Sequence, residues 1–327
     1  MEFKHIPVLL NPTIEGLKIK SNGIYVDGTI GGAGHSQKII EKLSSNGMLI
    51  GIDRDEEALK ATKNKLKDYN NFKLIHGNHD NIKRILNELN INKVDGILLD
   101  LGVSSYQLDE KNRGFSYIGE NELDMRMDKT QQKTAFEVVN NYSEEELANI
   151  IYKYGEERYS RNIAKNICKY RKEKEIKTTK ELVEIIEKSK PYSKDGHPAK
   201  RTFQAIRIEV NDEIKPLYNT VIDCIECLKE EGRLCIITFH SLEDRTVKEA
   251  YIEAQGKCTC PKDLPYCVCN YKSLGRIINK KPIEATEEEK KENTRSKSAK
   301  LRIFERREKR WDNLWLTTMN TKLALEK

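Results

Sequence analysis

The chain has 327 residues, 37% of them hydrophobic and 34% charged, with 58 Lys and Arg against 52 Asp and Glu for a net charge of +6. That composition supports one large domain or two modest ones, and the small basic excess suits a polyanionic partner only where it is clustered. No apolar run approaches the ~20 residues of a membrane span, and the opening Met-Glu-Phe-Lys-His-Ile-Pro has no apolar signal core; no membrane-spanning helix and no membrane partner are expected, a cytoplasmic location is expected, and the eight cysteines are expected to be reduced.

The first predicted strand, residues 24–26, ends on Asp27 and is followed by glycines at 28, 31, 32 and 34. Such a segment reads as strand, tight turn and helix start, in which missing Cβ atoms let a ligand touch backbone. The second strand, 48–52, is closed by Asp53, 19 residues beyond Gly34, the spacing at which a Rossmann-type fold sets an acid on a ribose hydroxyl pair. The glycines do not spell G-x-G-x-x-G, which counts against a nicotinamide dinucleotide. Apolar runs at 72–75, 94–99 and 233–238 add three strands, and helical periodicity at 56–66 and 83–89 supplies crossovers, so the pattern predicts a doubly wound parallel sheet. The fourth strand delivers Asp100 to the carboxyl edge, where open α/β sheets bind ligands.

Strands four and five lie too far apart for an ordinary crossover, so residues 107–215 are expected to form an inserted helical substrate-recognition domain between core segments 1–106 and 216–306. Ser143 with Glu146 and Thr178 with Glu181 are capping-box patterns inside it. Its basic stretch 157–177 is either a solvated helix face or a nucleic-acid contact. At the junction, Lys200, Arg201, Phe203 and Arg207 suit phosphate contact and base stacking; the competing reading is a hinge helix with Arg207 paired to Glu209 or Glu213. In the loop 256–272, Cys258, Cys260, Cys267 and Cys269 can surround a structural zinc or can be plain reduced thiols, whereas Cys224 and Cys227 read as buried helix thiols. Residues 299–304 alternate as an antiparallel strand would, and 307–327 form a basic tail.

The run Asp27-Gly-Thr-Ile-Gly-Gly-Ala-Gly34 looks like the first motif of class I S-adenosylmethionine methyltransferases. Together with Arg113-Gly-Phe-Ser116, Leu123-Asp-Met-Arg-Met-Asp128, Tyr154-Gly-Glu-Glu-Arg158, His197-Pro-Ala-Lys-Arg-Thr-Phe203 and Thr238-Phe-His-Ser-Leu-Glu-Asp-Arg245, it closely resembles the bacterial 16S ribosomal RNA cytosine-N4 methyltransferases from about His5 to about Arg306. The resemblance implies a Rossmann-like α/β fold with an inserted helical domain, S-adenosylmethionine as cofactor, and methyl transfer to the exocyclic N4 of a decoding-region cytidine. The implied partner is 16S rRNA or the small ribosomal subunit, with a homodimer left open. By the same resemblance Ala33, Gly34 and His35 line the methionine end, Gly31 and Gly32 are cofactor-binding with them, Asp53 holds the ribose, His79 flanks the adenine, and Asp100 and Gln107 complete the pocket.

Cytosine N4 is a poor nucleophile, so its N–H groups need acceptors and its nitrogen must be held in line with the methyl. Asp100, Ser104 and Ser105 stand where such acceptors are wanted, and His240 with Glu243 lies on the turn after strand five at the same edge; a helix cap at Asp100 and a core histidine at His240 are the bland alternatives. Two departures stand out. Family members commonly carry an aromatic residue where His79 stands, and Asp100-Leu-Gly-Val-Ser104 replaces the Pro-Pro-aromatic motif of many amino-directed methyltransferases, leaving the aromatic wall for the base to Phe115, Phe203 or Phe239. The rival functions are an NAD-dependent dehydrogenase on the same sheet and a non-catalytic ribosome-assembly factor that binds RNA.

Overall fold

The computed structural model describes residues 7–104, 107–108, 110, 113–191, 196–257, 260–261 and 272–307. The first half alternates helix and strand as the apolar pattern requires: α1 Leu10–Leu17, β1 Ile24–Asp27, α2 Gly34–Ile40, β2 Met48–Asp53, α3 Glu56–Lys65, β3 Phe72–His76, α4 Ile82–Glu88 and β4 Val94–Asp100. Among the described residues, the helices α5 Ala135–Asn141, α6 Glu144–Gly155, α7 Ser160–Arg171, α8 Thr179–Lys188 and α9 Lys200–Asn211 follow. The chain then returns through α10 Leu217–Cys227, β5 Leu228–Thr238, α11 Ser241–Gln255, β6 Gly275–Ile277, β7 Ile283–Glu284, α12 Glu287–Glu292 and β8 Lys300–Arg306.

These strands form one sheet in the order β3-β2-β1-β4-β5-β8-β6, with β7 also on β8. Strands β1 to β5 run parallel, and β8 lies antiparallel to β5. The order reverses direction between β1 and β4, which opens a crevice beyond their carboxyl ends. Asp27, Asp53 and Asp100 are the last residues of β1, β2 and β4, so the sheet brings three acids from distant sequence to that one edge.

Alternation along the strands divides the apolar side chains between two cores. Val26, Ile50, Ile97 and Ile236 pack on one face beneath α4, α10 and α11, whereas Tyr25, Leu49, Leu98 and Ile237 pack on the other beneath α1 and α2. β5 starts five residues earlier than its apolar run suggests. Leu228 pairs with Val94, then the register shifts so that Arg233 pairs with Gly96, and the charged Lys229, Glu230 and Glu231 occupy the irregularity.

The helices between β4 and β5 have a core of their own, from Phe115 to Val210. Capping boxes start α5 at Thr134 and Glu137, α6 at Ser143 and Glu146, and α8 at Thr178 and Glu181. α6 buries Leu147, Ile150, Ile151 and Tyr154, one helical stripe, and truncating the fully buried Ile151 to Ala should cost about 2–5 kcal/mol. This unit is fastened to the sheet by Arg113, which is 2% exposed; its Nη1 donates to Asp55 Oδ2 at 2.8 Å and its Nη2 to the carbonyls of Arg126 and Met127 at 2.9 and 3.1 Å. Removing one partner would strand a buried charge, so this pair fixes the helical unit over the strand ends. Among the described residues, no helix is long and apolar enough to cross a membrane.

Candidate active site

The glycine loop is shaped by its neighbours. Gly31 adopts φ +48° and Ala33 φ +56°, and a Cβ on Gly34 would lie 2.2 Å from Pro7 Cγ, so position 34 has no room for a side chain. Gly32 differs: a Cβ there would meet nothing within 4 Å, because the space above it is open. Below the loop, Asp27 accepts from Ser36 Oγ at 2.7 Å and from the Thr29 N–H at 3.2 Å. Burial pushes its carboxyl up to about 6 against the pull of those hydrogen bonds.

Asp53 closes the loop from the next strand. Its Oδ2 accepts from Gly31 N–H at 2.8 Å and its Oδ1 from Asp55 N–H at 2.9 Å, while burial raises its carboxyl above the ordinary range. His79 lies on the 3₁₀ turn His79–Asn81 after β3, and burial pushes its imidazole down to about 4, so it is neutral at physiological pH.

Asp100 is the most perturbed acid of this edge. Its N–H donates to Thr29 Oγ1 at 2.6 Å, its Oδ2 lies 3.7 Å from His35 Nδ1, and its buried Oδ1 has no hydrogen-bond partner among the described residues. Burial, followed by the Asp27 and Glu243 charges, holds its carboxyl well above the usual carboxylate range. It caps no helix. His35 is itself buried, with Nε2 3.0 Å from the Val8 carbonyl.

Ser104 and Gln107 fix each other: Ser104 N–H donates to Gln107 Oε1 at 3.1 Å, and Gln107 N–H to Ser104 Oγ at 3.2 Å. Gln107 Nε2 also donates to Asp55 Oδ2 at 3.1 Å, joining this loop to the Arg113 anchor. Ser105 lies outside the described residues. His240 is the N-cap of α11, where its Nδ1 accepts from Glu243 N–H at 3.3 Å and its Nε2 lies 3.1 Å from Glu243 Oε1. Burial would raise Glu243, but the neighbouring His240 ring, the Arg207 guanidinium and the Phe239 N–H outweigh it and hold the carboxyl below its ordinary value.

The glycine loop, His35, Asp53, His79, Asp100, Ser104, Gln107, His240 and Glu243 line a cleft of about 650 Å³ between the sheet edge and the helical unit, with Asp27 beneath the loop. Lys200 lies exposed on its wall, and Arg201 Nη1 donates to the Glu156 carbonyl at 2.8 Å. Phe203 is 3% exposed and packs in the helical core. Arg207 makes the ion pair of the hinge reading, with Nε and Nη2 donating to Glu213 at 2.9 and 3.0 Å. Cys224 and Cys227 are free, buried thiols as read. Cys258, Cys267 and Cys269 lie outside the described residues, and among those described no group of three or more His, Cys, Asp or Glu is placed to hold a metal.

Three features of the cleft escape the sequence reading. Asp27 was legible as a strand-end acid, but its hydroxyl partner Ser36 follows no motif. Tyr117 directly follows Arg113-Gly-Phe-Ser116 and lines the cleft, a position that only the fold of the anchor reveals. Thr294, Arg295 and Ser298 reach the cleft from the segment before β8, for which the sequence offers no signal.

An unpaired buried carboxylate oxygen at Asp100, an acid held at the edge by Asp53, a neutral imidazole at His79 and open space over Gly32 fit a ligand with an ammonium group, a ribose and a flat base. S-adenosylmethionine has these parts. The strand order and the glycine loop together define a Rossmann-like class I S-adenosylmethionine-dependent methyltransferase.

The chain belongs to the MraW methylase family, whose model matches residues 2–307. It is 57% identical over 305 residues to the ribosomal RNA small subunit methyltransferase H of Clostridium botulinum (strain 657 / Type Ba4), covering 93% of this chain and 99% of that one. It is 55% identical over 310 residues to the protein of the same name from Lachnospira eligens, covering 94% and 98%. Among solved structures, an rRNA methylase from Streptococcus thermophilus aligns over 93% of this chain and 99% of its own with a TM-score of 0.40 and 11% identity.

Proposed function

We propose that this chain methylates small-subunit ribosomal RNA with S-adenosylmethionine, and that the acceptor is the exocyclic N4 of a cytidine in the decoding region of 16S rRNA. The single observation that carries the reading is Asp100, whose raised carboxyl and unpaired Oδ1 stand between the glycine loop and the helical unit. Family membership over residues 2–307 and relatives named as small-subunit rRNA methyltransferases support the substrate class. A non-catalytic RNA-binding role would use neither that oxygen nor the open space over Gly32.

S-adenosylmethionine, when bound, supplies a methyl group activated by a sulfonium. In this reading Gly31, Gly32, Ala33, Gly34 and His35 line its methionine end, Asp53 accepts from the ribose, and the neutral His79 flanks the adenine. Gln107 shapes the pocket through Ser104 and Asp55. Asp100 accepts an N–H of the incoming amine, orients its nitrogen toward the methyl and takes up the proton released as the N–C bond forms; a carboxyl made more basic by burial suits that transfer. Ser104 and Ser105 offer further acceptors. His240 acts by capping α11 and fixing Glu243, whose charge helps keep the Asp100 carboxyl raised. Lys200 and Arg201 contact RNA phosphates, Phe203 supports that wall from within, and Arg207 braces it through Glu213.

Mass analysis of 16S rRNA nucleosides from cells lacking the protein, before and after its restoration, tests this reading. Loss and recovery of one N4-methylated cytidine is the expected result. Persistence of every N4-methylated cytidine in the deletion strain would overturn the assigned reaction.

A further inference from the structure

The cleft presents aromatic side chains very unequally. Phe115, Tyr117, Phe203 and Phe239 all line it. Phe115 and Phe203 are only 7% and 3% exposed and are committed to the helical core. Phe239 is half-buried like Tyr117 and packs against the core on one face of the sheet, with no ring contact to another aromatic among the described residues. Tyr117 is half-buried and belongs to the opposite, helical wall.

Its ring is held on two sides. It stacks on His197 with centroids 4.5 Å apart and an interplanar angle of 24°, and it meets Phe203 edge-on at 6.0 Å and 86°. His197 is fixed in turn, since Nδ1 accepts from Ala199 N–H at 3.2 Å. The chain leading to Tyr117 is fixed as well: Gly114 takes φ +68° with its missing Cβ 2.2 Å from the Glu122 carbonyl, and Arg113 is buried in its ion pair. The Tyr117 hydroxyl makes no hydrogen bond among the described residues and is not among their buried, unpartnered polar atoms. A rigid ring with an available hydroxyl costs little to order on binding.

Charge decides what can approach that ring. On the strand-end side Asp53 and Glu243 line the cleft, and the cations there, Arg54 and Arg207, are already paired with Asp80 and Glu213, so the floor suits a neutral base better than a phosphate. Lys200 on the rim gives a phosphate its partner. We infer that Tyr117, backed by His197 and Phe203, is the stacking wall for the flipped target base of a single-stranded RNA whose phosphates remain at the rim. This rests on the RNA reading above and names the residue that seats the acceptor.

The test uses the full chain with S-adenosylhomocysteine and a short single-stranded RNA of the decoding region carrying pyrrolocytidine at the target position. Binding to the wild type should quench the pyrrolocytidine emission. Tyr117→Phe should keep the quench; Tyr117→Leu, which retains apolar packing, should lose it and weaken RNA binding about 5- to 150-fold, with cofactor affinity unchanged by calorimetry. Tyr117→Trp supplies an independent reading, because its own emission should fall when the RNA is added. A folded Tyr117→Leu protein with wild-type quench and RNA affinity would overturn the inference alone. So would a Tyr117→Leu protein that loses cofactor affinity but not RNA affinity, since the wall would then belong to the cofactor's adenine. Absence of both RNA binding and methyl transfer in the wild type would overturn the RNA reading and this inference with it.

Discussion

The Asp53 carboxylate accepts the Gly31 N–H at 2.8 Å, so the acid that ends β2 also sets the conformation of the loop that follows β1. One residue thus has two tasks, holding the loop and presenting an oxygen to the ribose. Asp53→Ala should weaken S-adenosylmethionine binding by about 1.5–3 kcal/mol and lower stability by about 1–3 kcal/mol through the unpaired Gly31 and Asp55 N–H groups. Titration calorimetry and denaturant unfolding read the two effects; unchanged affinity in the folded variant would place the ribose elsewhere.

Glycines 32 and 34 should respond in opposite ways. Gly32→Ala puts a methyl into open space, so stability should move by no more than about 0.5 kcal/mol while cofactor affinity falls. Gly34→Ala drives a methyl into Pro7 and should cost about 1–3 kcal/mol of stability. Equal cofactor affinity in Gly32→Ala and wild-type protein would remove the ligand from that space.

Asp27 makes stability depend on pH. Its folded pKa is raised from 3.8 to about 6, so its contribution is fully present below about pH 4 and is lost as pH rises through about 6, a change of about 3 kcal/mol. Asp27→Asn cannot ionise and should remove this component. Urea unfolding of both proteins at pH 4.5 and pH 7.5 tests it: the variant's stability relative to wild type should be higher at pH 7.5 than at pH 4.5, and a pH-independent difference would contradict the assignment.

Asp100 should release a proton when the cofactor binds, because an ammonium beside a carboxyl raised this far favours ionisation. Cofactor affinity should therefore rise with pH until Asp100 ionises in the free protein, and the calorimetric heat should vary with the ionisation enthalpy of the buffer below that point. His79, neutral well above its pKa of about 4, should add no step between pH 5.5 and 8, so His79→Phe should show the wild-type pH profile with equal or better affinity. A buffer-independent heat would mean that Asp100 is already ionised or lies away from the ammonium.

The sheet was legible because its strands are short apolar runs closed by acids, and a period of two or 3.6 survives in sequence. The three strand-end acids were visible for the same reason. β5 was read short because Lys229, Glu230 and Glu231 break its pattern, although backbone pairing tolerates them at a register shift. His240 was legible as a residue of the edge but not as a cap, since imidazoles seldom cap helices. Arg207 shows how charge alone leaves two readings open: a cation beside an aromatic suits an RNA contact or a hinge ion pair with Glu209 or Glu213, and the fold sets its guanidinium on Glu213. Tyr117 was missed because stacking on His197 joins residues 80 positions apart, and no local pattern encodes that distance.

The central claim is tested most directly by incubating the purified protein with isotopically methyl-labelled S-adenosylmethionine and small ribosomal subunits lacking the modification, then digesting the 16S rRNA to nucleosides for mass analysis. The account predicts label in a single N4-methylated cytidine of the decoding region, and a much lower rate with Asp100→Ala at saturating cofactor and RNA. Label at cytosine C5, on a ribose or in another base, or an undiminished rate in the folded Asp100→Ala protein, would contradict it.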